Sequence, residues 1–73
     1  MEIRISYDKV ADALYIRLKE DRVVDSDEVA PGVIIDFNEK GEIVGIEVLG
    51  FSRRDIDLKK LIMEGPETLV ANA

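Results

Sequence analysis

The residues able to do chemistry in this chain are almost all carboxylates. Sixteen of its 73 residues are Asp or Glu and ten are Lys or Arg, with no histidine, cysteine or tryptophan. Three groupings stand out. Tyr7, Asp8 and Asp12 bracket one turn in "YDKVADALYIRL", where a phenol beside two carboxyl groups would make a small acid site. Asp25, Asp27 and Glu28 crowd one short segment, and Asp25 and Asp27, two apart, project from one face of a strand. Asp36 and Glu47 lie where two strands would form a hairpin and face each other. A hard cation such as Ca²⁺ or Mg²⁺ takes oxygen ligands of this kind.

Each grouping also has a plainer reading. An aspartate at a strand boundary accepts hydrogen bonds from N–H groups one or two residues on and so fixes a turn. Asp8 follows one strand and Asp12 precedes the next, so both are read as turn residues. The D-x-D spacing at Asp25 and Asp27 lacks the D-x-D-x-D-G context of a calcium loop. A solvated acidic face accounts for it. Ser6, Ser26, Ser52 and Thr68 have no histidine to activate them. Lys9, Lys19, Lys40, Lys59 and Lys60 sit at turn or outward-looking positions, whereas a catalytic lysine needs desolvation to lower its pKa. There is no G-x-G-x-x-G motif and no phosphate-binding loop. The chain is therefore expected not to be an enzyme and to carry no cofactor or metal. The alternative is a carboxylate-based metal-binding or small-ligand protein or enzyme.

The charge is concentrated. Residues 1–19 carry four basic and three acidic side chains, residues 20–47 two and nine, and residues 48–73 four of each. The net charge of −6 thus arises wholly in the middle of the chain. Such a balance disfavours nucleic acid as a direct partner. A concentrated negative field steers a basic protein instead, with Asp25, Asp27 and Glu28 as the expected contact. The opposite signal, "SRRD" with Lys59 and Lys60, is a small basic patch that would meet the acidic middle of a second copy. No apolar run approaches the ~20 residues that span a bilayer. "MEIRISYD" has no charged stretch followed by an apolar run, so it does not read as a signal peptide. Without cysteine there is no disulfide framework, and the cytoplasm is the expected compartment.

The elements that position these residues follow from a period of two. Ile3, Ile5 and Tyr7 alternate with polar residues in a first strand over about 2–7. Leu14, Ile16 and Leu18 do so in a second, over about 13–19. A third, weaker strand over 23–29 holds the acidic cluster, which suits an edge. "PG" at 31–32 and "NEKG" at 38–41 are turns, in which Gly32 and Gly41 take positive φ. Between them Val33–Phe37 is a fourth strand whose β-branched run predicts apolar contact on both faces. Ile43–Leu49 is a fifth, with Val44, Ile46 and Val48 on one side and Gly45, Glu47 and Leu49 on the other. A glycine there marks a bulge or close packing over that face. After Gly50 the spacing of Leu58, Leu61 and Ile62 becomes helical, with Ser52 or Asp55 as N-cap and Gly65-Pro66 as stop.

These segments predict a single small domain, mainly β (α+β). It is an antiparallel meander of four to five strands over about 2–50, with one short C-terminal helix over about 53–64 and a tail over 65–73. One short helix covers only part of such a sheet. A homodimer is expected, burying part of Ile34, Leu49, Phe51 or the apolar tail.

"YDKVADALYIRL" followed by "EVAPGVIIDFNEKGEIVGIEVLGFS" resembles the uncharacterised family called domain of unknown function 2283. Its pattern has a Tyr-Asp turn, an Ala-Asp-Ala-Leu-Tyr-Ile strand, a Gly-Val-Ile-x-Asp strand and an Ile-x-Gly-Ile-Glu strand. The resemblance runs from about Ile3 to Ser52 and departs from the family at Val10, where an acidic residue is usual. It implies a small sheet domain with no assigned activity and no catalytic residues to carry over. Some members resemble partners in two-gene toxin–antitoxin arrangements, so it also implies an antitoxin-like role within a protein–protein interaction module.

Overall fold

The computed structural model describes residues 3–65. Five strands form: β1 (Arg4–Asp8), β2 (Ala13–Arg17), β3 (Asp25–Ala30), β4 (Val33–Phe37) and β5 (Ile43–Leu49). A 3₁₀ turn (Phe51–Arg53) and one helix, α1 (Leu58–Glu64), follow. Every neighbouring pair is antiparallel, so the expected mainly β sheet with one short C-terminal helix is the fold. Its strand order is β1-β2-β5-β4-β3, which departs from a simple meander at one step. β2 lies beside β5, and β3 starts afresh at the far edge.

The connection over 18–24 makes that step by running past the ends of β5 and β4. The Leu18 and Lys19 amides both donate to the Val44 carbonyl, at 2.8 and 3.2 Å, and the Val24 amide donates to Phe37 O at 2.9 Å. Asn38 holds the crossing in place. It is 4% exposed, the buried polar side chain among the described residues. Its amide nitrogen donates to Asp21 Oδ2 (3.0 Å) on the crossing and to Glu42 Oε1 (2.8 Å) across the turn. Its oxygen accepts from the Lys40 and Glu42 amides at 3.0 and 2.9 Å. A fully used amide is what makes burial of a polar group tolerable.

One face of the sheet is covered. Strand pairing aligns Ile5, Ile16, Ile46, Ile35 and Asp27 in one row across all five strands. The next row runs Tyr7, Leu14, Val48, Val33 and Ala30. The three central positions of each row are buried, and Leu61 of α1 packs on them. α1 begins at Asp57, whose Oδ1 accepts from the Lys60 amide at 3.2 Å. The cap is therefore neither Ser52 nor Asp55, and the helix is shorter than the expected 53–64. Ser52 lies in the 3₁₀ turn because its hydroxyl is committed to Asp12, as described below. Gly65 ends the helix with φ 95° and donates to Leu61 O.

Gly32 and Gly41 have φ of 75° and 78°. Around Gly41 there is open space, whereas a Cβ on Gly32 would meet Arg54 Nη2 at 2.4 Å. Arg54 clamps this corner, donating from Nε to Leu49 O (2.8 Å) and from Nη2 to Pro31 O (2.5 Å). That use fixes the Arg54 guanidinium at the corner, and the carbonyls it meets do not neutralise its charge. The apolar tail on which part of the dimer expectation rested lies outside the described residues.

Candidate interaction surface

The second face of the sheet has no covering element among the described residues. Its first row is Arg4, Arg17, Gly45, Asp36 and Ser26, and its second is Ser6, Tyr15, Glu47, Ile34 and Glu28. Asp36 and Glu47 share this face but are not opposite each other. The register sets Asp36 against Gly45 and Glu47 against Ile34, and it shifts only beyond them, between Asp36 and Phe37. The expected pair is thus one row out of step.

Gly45 organises the face. A Cβ there would stand 2.2 Å from the Tyr15 hydroxyl and 2.7 Å from its ring carbon. The bare backbone lets the Tyr15 ring lie over β5 and reach β4, where its hydroxyl donates to Asp36 Oδ2 at 3.1 Å. Ser26 on β3 donates to the other oxygen, Oδ1, at 2.6 Å. Arg17 Nη1 donates to the Tyr15 oxygen at 3.4 Å, and Nη2 to Asp21 O at 2.8 Å. Arg17 Nε is buried without a hydrogen-bond partner, with Glu20 Oε2 4.0 Å away. One polar chain thereby crosses four strands. Burial, and with it the carboxylate of Asp36, raises the Tyr15 pKa above its ordinary value, so the phenol stays a neutral donor. Both signals expected at Gly45, a bulge and close packing over that face, are present. A depression of about 380 Å³ between β1 and β5 has Ser6, Tyr15, Glu47 and Asp8 among its walls.

The acidic cluster occupies the β3 edge. Asp25 and Asp27 pair with Phe37 and Ile35 and so project on the helix side, while Glu28 pairs with Ile34 and projects on the open side. All three are exposed. Glu28 has a local task as well, because Oε2 accepts from the Gly32 amide at 3.0 Å and closes the Pro31-Gly32 turn. Asp25 Oδ1 accepts from the Ser26 amide at 3.0 Å.

The Tyr7–Asp12 corner divides its two aspartates. Asp8 Oδ1 accepts from the Val10 and Ala11 amides at 2.9 and 3.2 Å, a local turn. Asp12, with φ 53°, does something the local reading did not anticipate. Its carboxylate accepts from the Tyr7 hydroxyl (2.5 Å), the Ser52 amide (3.0 Å) and the Ser52 hydroxyl (2.8 Å). The Tyr7 hydrogen bond, with the two from Ser52, lowers the Asp12 pKa below the ordinary 3.8. The same bond raises that of Tyr7. Phe51 packs edge-on to Tyr7, ring centroids 6.0 Å apart. Asp12 thus ties the first hairpin to the end of β5. No sequence signal marks a bond spanning forty residues.

Among the described residues no three Asp or Glu side chains converge as a cation site. No helix among them is long and apolar enough to cross a membrane.

The chain is thus a five-stranded antiparallel sheet domain with one face under a short helix and the other carrying a polar network. Comparison with known families gives its lineage: residues 4–52 match the family described as "Protein of unknown function (DUF2283)". The chain belongs to that family. No curated protein and no solved structure matches it.

Proposed function

We propose that this protein is a small interaction module that binds a basic protein partner through the acidic edge formed by Asp25, Asp27 and Glu28. The observation that carries the reading is the placement of these carboxylates. They occupy an edge strand, exposed on both sides of the sheet, in the part of the chain that holds the whole net charge. A field of that sign speeds encounter with a basic surface. In a toxin–antitoxin pair this would be the antitoxin's contribution, the neutral or acidic subunit that occupies its partner. Catalysis is not part of the reading. The hydroxyls of Ser26 and Ser52 already donate to Asp36 and Asp12, and Asp12, with its lowered pKa, is a weak base.

The test is kinetic. A partner is isolated by pull-down from the native host, and its on-rate is measured across ionic strength. The Debye length falls from about 30 Å at 0.01 M to about 8 Å at 0.15 M. Wild type is expected to lose on-rate over that range. The Asp25→Asn, Asp27→Asn, Glu28→Gln triple variant, which keeps an acceptor for the Gly32 amide, is expected to show a much flatter dependence. Coincident dependences would reduce the acidic edge to a solubility feature.

A further inference from the structure

The sheet has two edges, and among the described residues only one is protected. β3 carries three carboxylates and a register shift between Glu28 and Ala30, both of which discourage further pairing. β1 has neither proline nor bulge. Its register against β2 is unbroken from Arg4 to Asp8, and all five residues are exposed. Three apolar side chains on or beside it lie on the covered face yet stay partly in solvent: Ile3 is 39% exposed, Ile5 48% and Tyr7 44%.

The backbone direction of this edge is determined. Leu18 donates its amide to Val44 on β5. By alternation along β2, Leu14 and Ile16 turn their amides and carbonyls to β5, and Ala13, Tyr15 and Arg17 turn theirs to β1. Asp8, Ser6 and Arg4 answer them. The N–H and C=O groups of Ile5 and Tyr7 therefore point outward from this edge, with no strand beside them among the described residues.

We propose that two copies of this chain associate by antiparallel pairing of β1 with β1, about a two-fold axis at Ser6. The stretch Arg4-Ile5-Ser6-Tyr7-Asp8 is complementary to itself in that register. Each Arg4 lies opposite the partner's Asp8, and each Ile5 opposite the partner's Tyr7. The outward N–H and C=O of Ile5 and Tyr7 are then the groups exchanged between copies. The aromatic–β-branched pairs cover Ile5 and Tyr7 on the helix side, and the opposite-charge pairs lie on the open side. The Arg4 guanidinium, already paired with Glu20, has donors left for a second carboxylate. Asp8 holds its turn through Oδ1 alone, which leaves Oδ2 for the partner. Charge selects this edge as well. Residues 1–19 are net +1, whereas pairing through β3 would bring together two segments of net −7. The pairing also closes: the ten-stranded sheet that results presents only the two protected β3 edges, so assembly stops at two. The surface differs from the Ile34, Leu49 and Phe51 contact expected from sequence, and it does not depend on the basic partner proposed for β3.

Sedimentation velocity from 1 to 200 µM, with amide hydrogen exchange at the two ends of that range, tests the inference. Wild type is expected to dimerise, with the Ile5 and Tyr7 amides gaining protection at high concentration and the β3 amides unchanged. Arg4→Glu and Asp8→Lys each turn both cross-copy pairs into like-charge pairs and should weaken the dimer about tenfold. In an equimolar mixture of the two variants every pair is again of opposite sign, and dimerisation should return towards the wild-type level. A wild-type chain monomeric throughout overturns the proposal. So does a dimer that neither protects Ile5 and Tyr7 nor responds to Arg4→Glu. So does a mixture no tighter than the single variants, each folded by circular dichroism. If Asp8→Lys does not fold, exchange protection and Arg4→Glu together decide.

Discussion

The two faces of the sheet are made by the same five strands, one residue out of step, and they are held together by different physics. On the covered face Ile16, Ile46 and Ile35 meet edge to edge and Leu61 closes over them, all 2% exposed or less. On the open face the equivalent row is Arg17, Gly45 and Asp36, joined by directed hydrogen bonds through Tyr15. The first depends on volume, because close packing leaves a removed methylene uncompensated. The second depends on geometry, because a hydrogen bond survives only at the right distance and angle. Comparing them shows why one strand position tolerates only glycine while its neighbours carry the largest aliphatic side chains.

The comparison can be broken first on the covered face. Ile46→Ala removes a fully buried side chain from the central strand and should cost about 2–5 kcal/mol. For a chain of this size that is much of the roughly 4–11 kcal/mol expected in total. Urea unfolding reads it directly, and a cost below about 1 kcal/mol would mean that the face is not close-packed.

The open face should break at Gly45 by a different route. Gly45→Ala drives a methyl group into the Tyr15 ring and should cost about 1–3 kcal/mol by overpacking. In a Tyr15→Ala background the obstacle is gone, and the same substitution should cost within about 0.5 kcal/mol of nothing. That non-additivity is the signature of a direct contact. Equal costs in both backgrounds would assign the glycine to the adjacent bulge and leave the ring without a role.

Asp12 sharpens the contrast between charge and shape at the end of the sheet. Its folded pKa lies below 3.8, because Tyr7 and Ser52 donate to the ionised form. Stability from this source is fully present above the ordinary carboxylate pKa and is lost as pH falls through the lower folded value. Asp12→Asn keeps the size and tolerates the positive φ. Its deficit against wild type in thermal melts should therefore be constant near neutral pH and shrink as the pH drops below about 4. A deficit that stays constant down to pH 2 would show that shape, not charge, holds the corner.

The smallest effect is expected at the β3 edge. Asp25→Asn and Asp27→Asn change side chains that are exposed at the outer edge of the sheet and should move stability by no more than about 0.5 kcal/mol. A larger loss would place the acidic edge among the structural residues, beside Glu28.

Much of this architecture was legible in the chain. The alternation of Leu14, Ile16 and Leu18 against Tyr15 and Arg17 shows which residues of the second strand share a face. Gly45 between Val44 and Ile46 signals a bulge or a close approach. Pro31-Gly32 and Asn38–Gly41 mark the turns. What was not legible has one common cause. Period-two patterning fixes the side of a strand a residue occupies but not which strand lies next to it, so a meander and the order β1-β2-β5-β4-β3 read alike. The decisive bonds are those between segments far apart in the chain: Asn38 with Asp21, Tyr15 with Asp36, Asp12 with Ser52. Asp36 and Glu47 fell one row out of step for a related reason, since alternation fixes the face they share but not the register that sets one strand against the other.

The amino-acid sequence by itself determined the strands, their turns, the two-sided character of the sheet and the concentration of charge in the middle of the chain. All of these depend on neighbours within a few residues, where sterics and side-chain alternation act directly. Only the tertiary structure decided that β5 lies at the centre and that, among the described residues, β1 is an open edge while β3 is a guarded one. It also decided that Tyr15 spans a glycine to reach Asp36. Those outcomes depend on which of several equally apolar strands pack together, a choice made by whole-domain burial and by polar groups that must find partners once water is excluded.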